Sequence, residues 1–198
     1  MKKLSVIKPL VLLSFIALPF LASAQNPGTS ASTVTQDISL KVDGSAMLAV
    51  VNTNANAGAS TAVSMSLTGA TQAGAAILDQ TTNADTRLRI SSLVESGKTR
   101  TITASIAPDI STSGTQLFVT LTKPATFQPA VANGGTAASE QELTDGTTKT
   151  VVSGITTCWS GTGATDGYTV TYRYAKKADA TFLQSKNVVI TYTITAEV

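Results

Sequence analysis

Few side chains in this chain could carry covalent or ligand chemistry, and their surroundings narrow the options further. Cys158 is the sole cysteine and there is no His. Without an imidazole there is no base for a cysteine nucleophile, no Ser-His-Asp arrangement and no histidine metal site. One thiol cannot close an internal disulfide or build a Cys-rich zinc cluster. No cation other than Lys149 lies within ten residues of Cys158 in sequence, so no sequence neighbour lowers its pKa. A buried structural thiol is the expectation, with pairing between molecules the alternative for an odd cysteine.

Carboxylate pairs would be the other route to catalysis, as in sugar hydrolysis on a β-sandwich. The four glutamates are Glu95, Glu140, Glu142 and Glu197. Glu95 precedes a turn, Glu140 and Glu142 fall in an irregular stretch, and Glu197 is next to the end. None sits mid-strand on an apolar-flanked face, so they read as solvated surface acids. No spacing matches a calcium loop. The chain is therefore read as a non-enzyme, with no catalytic, cofactor or metal site assigned.

The remaining chemistry is aromatic. Trp159 is followed by Tyr168, Tyr172 and Tyr174. Sugar rings stack on exposed aromatics, so a glycan is one partner to consider. Tyr172 and Tyr174 share a strand face with Val170, as a core row does. Trp159 precedes a Gly-rich turn and is the candidate ligand contact.

The elements that would hold these residues begin after an export signal. Lys2, Lys3 and Lys8 flank a 13-residue apolar run, 9–21, and Ala22, Ser23 and Ala24 form a small-x-small cleavage site. Residues 1–24 are expected to be a signal peptide. The run is too short for about 30 Å of hydrocarbon. Removal of 1–24 leaves 11 basic and 12 acidic residues, a formal charge of −1. A basic surface for nucleic acid is not supported. No later stretch approaches the roughly 18 apolar residues of a membrane span. Secretion or display at the cell surface is the expectation.

From residue 34 the pattern has period two. Thr supplies 33 of the 174 residues after the expected cleavage site, and it suits half-exposed strands. Val34, Ile38, Leu40 and Val42 share one face of the first run. Val63, Met65 and Leu67 repeat the alternation, as do Ile102, Ala104 and Ile106, then Leu117, Val119 and Leu121. Val170, Tyr172 and Tyr174 follow, and the last run places Val188, Ile190, Tyr192 and Ile194 together. Weaker strands are expected at 46–51, 87–93, 148–152 and 180–184. Asp43-Gly44, Ser96-Gly97, Ser113-Gly114, Asp145-Gly146 and Asp166-Gly167 mark reversals. A helical turn or two is conceivable at 73–78 or 139–143. The sum is an all-β fold: a single antiparallel β-sandwich of immunoglobulin-like or pilin-like Greek-key type, with about nine to eleven strands. Its boundaries are a flexible leader at 25–33 and a sandwich domain at 34–198. The 123–147 stretch, with Pro124, Pro129 and Asn133-Gly134-Gly135, exceeds an ordinary loop and reads as a decorated edge or a binding loop.

The signal peptide, the Thr-rich strands and the alternating runs at both ends resemble bacterial fimbrial subunits of the chaperone–usher type that lack an internal disulfide. That resemblance implies that the alternating segment 34–42 is a donor strand. Ile38, Leu40 and Val42 would be the side chains that fill the groove of the next subunit, with Val34 at the segment's start. The ending Thr195, Ala196, Glu197, Val198 departs from the pilin pattern of a penultimate Tyr, the last Tyr here being Tyr192. The stretch 154–168, together with the run 190–195, also resembles small secreted β-proteins of Bacteroidota, which implies a Gram-negative surface. Two readings follow. One is a structural subunit of a surface fibre or extracellular layer, self-assembling or joined to other surface subunits. The other is a monomeric adhesin or carbohydrate-binding module that uses Trp159 and the 123–147 loop.

Overall fold

The computed structural model describes residues 35–41, 44–54, 61–76, 79–129, 133–196 and 198. The expected signal peptide (1–24), the leader (25–33), and Val34 and Val42 lie outside these residues. The chain divides into two units, Met1–Ser39 and Leu40–Val198, and every strand belongs to the second.

Ten antiparallel strands are present among the described residues: β1 (Ser45–Asn52), β2 (Gln80–Leu93), β3 (Arg100–Ala107), β4 (Thr115–Thr122), β5 (Thr136–Ala137), β6 (Gln141–Glu142), β7 (Lys149–Ile155), β8 (Cys158–Trp159), β9 (Tyr168–Lys176) and β10 (Val189–Ile194). They form two sheets. The first runs β1-β2-β9-β4-β6, with β8 beside β2, and the second runs β10-β3-β7-β5. Each successive long strand from β2 to β10 changes sheet, so the chain stitches the two layers together. The all-β sandwich expected from period-two patterning is what forms.

The alternation explains the core. Ile102, Ala104 and Ile106 of β3 face Leu117, Val119 and Leu121 of β4, Leu88 and Ile90 of β2, and Val170 and Tyr172 of β9; all are buried. The intervening Thr and Ser point outward, as the two-residue repeat of a strand requires. Each such aliphatic side chain contributes about 1.5–3 kcal/mol by leaving water. Four of the expected reversals end on a glycine at positive φ: Gly97, Gly114, Gly146 and Gly167. Gly167 combines φ 101° with a backbone approach that leaves no room for a side chain, since a Cβ would lie 2.5 Å from the Leu88 carbonyl oxygen.

The 123–147 stretch is a decorated edge. It supplies β5 to the second sheet and β6 to the first, and it buries Phe127 and Leu143 in the core. The Leu143 amide donates to the Leu117 carbonyl at 2.7 Å. This docking draws 139–143 into an extended form where a helical turn had been conceivable. No helix forms at 73–76 either; residues 71–74 are bend and turn. Residues 180–184 and 61–68 lack the expected strands, and 35–41 carries no strand assignment.

Candidate functional site

The two sides of the sandwich are sealed unequally. On one side β5 and β6 end the sheets, and Phe127 and Leu143 beside them are buried. On the other side β1 ends the first sheet and β10 ends the second, and the two lie near each other. Among the described residues each pairs with one neighbour, β1 with β2 and β10 with β3. Their core-facing residues reach only half burial: Ala46, Leu48 and Val50 on β1, and Ile190, Tyr192 and Ile194 on β10. The equivalent positions on β3 and β4 are fully covered. Met47 and Val189 stand 70% and 67% exposed. A sheet edge beside half-covered apolar side chains is a template for strand addition.

A third alternating segment reaches this rim. Val63 and Met65 are half-buried against the core, together with Leu48, Val50, Val188, Ile190, Tyr192 and Ile194. Yet 61–68 carries no strand among the described residues; the Asn52 side-chain amide donates to the Ala62 carbonyl at 3.1 Å. Its period-two pattern places Val63 and Met65 against the core, which is why a sequence reading takes it for a strand.

Of the expected donor residues, Ile38 and Leu40 are described, and they are 70% and 90% exposed. Two large exposed aliphatic side chains, two residues apart outside any strand, present the chemistry that a strand-accepting edge takes up.

Cys158 and Trp159 form β8 and face opposite ways. Cys158 pairs with Ser92 and is fully buried, and burial pushes its thiol up to about 11 against a smaller opposing pull from Lys123. Lys123 is remote in sequence, so sequence spacing could not have revealed it. A thiol held protonated at neutral pH is a structural side chain. Trp159 pairs with Ser91 on the outer face and stays 47% exposed. Its backbone is fixed by paired hydrogen bonds with Gln128, both 2.9 Å.

The tyrosines belong to the core. Tyr168 is fully buried, donates its hydroxyl to the Gly134 carbonyl, and packs on Phe127 at 5.5 Å between ring centroids. Tyr172 on the first sheet and Tyr192 on the second share a hydrogen bond of 3.0 Å between hydroxyls, tying the layers together near the open side. Burial raises the pKa of all three. No sequence signal marks the Tyr172–Tyr192 bond, because it joins strands that are neighbours only in space.

The acids are dispersed. Glu140 pairs with Arg173, which holds its carboxyl below the usual range, and Glu142 accepts from the Thr144 hydroxyl at 2.7 Å. Asp145 accepts from the Thr147 hydroxyl and amide and from Lys149, and these bonds lower its pKa. Among the described residues no three His, Cys, Asp or Glu side chains gather to hold a metal, and no helix is long and apolar enough to cross a membrane. Comparisons with models of known families, with curated proteins and with solved structures find no match.

Proposed function

We propose that this protein is an exported structural subunit of a surface fibre or extracellular layer, assembled by strand addition. The segment 34–42 of one copy lies along the open edge of β10 in the next, with Ile38 and Leu40 covering the half-buried apolar row of β10 and β1. The observation that carries this reading is the pairing of opposites: an edge with half-covered core residues on β1 and β10, and two large aliphatic side chains, Ile38 and Leu40, that stand in water. The contact is head-to-tail, so it propagates and does not close. No catalytic role is proposed.

The test is the native mass of protein sheared, unheated, from its own cell surface, measured by light scattering. Strand-linked assembly gives a series of masses at multiples of the exported chain. A single monomer peak removes the self-assembling version of the proposal.

A further inference from the structure

The outer face of the first sheet carries a row that the strand-addition reading does not use. Along β2 the outward residues are Arg87, Arg89 and Ser91, alternating with the buried Thr86, Leu88, Ile90 and Ser92. Ser91 is flanked by Met47 of β1 on one side and Trp159 of β8 on the other. At the rise of a β-strand, Arg87 to Ser91 spans about 14 Å. The row therefore runs from a half-exposed indole, past a serine hydroxyl, to two guanidinium groups in succession.

Neither guanidinium has a counter-ion among the described residues. Arg87 donates to the carbonyls of Ala84 and Thr86 at 3.0 and 3.2 Å, and Arg89 donates to the Gly163 carbonyl at 2.6 Å. The buried Nε of Arg89 has no partner. Arg173, on the same outer face, shows the alternative: it is paired with Glu140 and stacked 3.7 Å from the Phe118 ring centroid. At the Trp159 end of the row lies a shallow cleft of about 280 Å³, lined by Ser45, Ser91, Ser92, Leu93, Thr157 and Trp159 among others.

We propose that this row binds an acidic polysaccharide, one sugar ring stacking on Trp159 while negative groups of the following rings meet Arg89 and Arg87. Sugar rings present an apolar face that suits an indole, and planar guanidiniums pair with carboxylate or sulfate through two parallel hydrogen bonds. Two cations without a counter-ion among the described residues, next to the exposed aromatic, favour an anionic chain over a neutral one. A single stacking residue and an exported chain of net charge −1 disfavour a nucleic acid, which needs several stacking platforms and a basic groove.

Trp159 is the only tryptophan in the chain, so its fluorescence reports this row alone. The exported chain is titrated with oligogalacturonate, with a sulfated dextran oligomer, with a neutral malto-oligosaccharide and with an oligothymidylate. The expected result is a shift in emission with one or both acidic sugars, weakened at least tenfold by Arg87→Gln with Arg89→Gln and weakened also by added salt. The two acidic probes distinguish carboxylate from sulfate recognition. Thermal melting of the double variant, expected to be unchanged, separates lost binding from lost folding. No response to either acidic sugar overturns the proposal, as does an equal response to the neutral sugar or an equal or stronger one to the oligothymidylate. The readout is the same on monomers and on assemblies, so its failure leaves the strand-addition reading standing.

Discussion

Replacing Ile38 and Leu40 together by Ala removes the two side chains proposed to enter the neighbouring subunit and alters nothing in the sandwich. The magnitude follows from their exposure. Full burial of an aliphatic side chain gains about 1.5–3 kcal/mol, and Ala keeps roughly a third of that. Ile38 and Leu40 begin 70% and 90% exposed, so nearly all of this gain is still to be made when a subunit docks. The double variant should lose about 2–3 kcal/mol of association, a weakening of about thirty- to a hundred-and-fiftyfold. The thermal midpoint of the isolated subunit should not move, because neither side chain is buried in it. Sedimentation velocity over a dilution series measures the first quantity, and calorimetry on dilute protein the second. Assembly weakened less than threefold, or a melting point lowered along with assembly, would refute the reasoning. The first result means that 34–42 is not the inserted strand, the second that it belongs to the subunit's own fold.

Other outcomes follow from the core and the buried hydroxyls. Ile102→Ala opens a cavity in the fully buried row of β3 and should cost about 2–5 kcal/mol in urea unfolding. Tyr168→Phe leaves the buried Gly134 carbonyl without its donor, a loss of about 1–3 kcal/mol by the same measurement. Gly167→Ala forces a side chain onto the Leu88 carbonyl at a positive φ and should destabilise by more than about 1 kcal/mol, lowering the thermal midpoint. The Cys158 thiol ionises near pH 8.5 in an unfolded chain and near 11 when folded. Its contribution to stability is therefore intact below about pH 8.5 and is lost as pH rises towards 11. Urea midpoints at pH 8 and 10.5 should fall less steeply in Cys158→Ala, and a thiol reagent at pH 8 should label the native protein only as it unfolds.

The sandwich was legible wherever a strand has sheet on both sides. β3, β4 and β9 alternate cleanly because one face of each meets the opposing layer, and β2 reads correctly from Arg87 onward. Its first seven residues, 80–86, were missed because the residues alternating there are polar and half-exposed. The strands β5, β6 and β8 are two residues long, and their pairing partner defines them with no period to read. Segment 61–68 misled for the opposite reason, since its apolar period is real but serves packing without a ladder. At the sites, Trp159 was legible as an aromatic before a Gly-rich turn. Its alignment with Arg87 and Arg89 was not, because β8 and β2 are neighbours across 66 residues of chain that no pattern connects.

The edge formed by β10 has a further consequence, for the protein at high concentration. Its six residues, Val189 to Ile194, contain no charge, no Pro and no Gly, and every one is β-branched or aromatic. A strand of that composition at a free edge stacks readily on copies of itself, with like side chains interlocking across dry sheets. Edge strands in soluble proteins usually carry a lysine or a bulge to discourage this, and β10 carries neither. Concentrated chains held without a partner for that edge are thus set to form cross-β aggregates in place of ordered polymers. Production in the cytoplasm should yield thioflavin-positive deposits, and a single Thr193→Lys on the edge should keep the chain in solution.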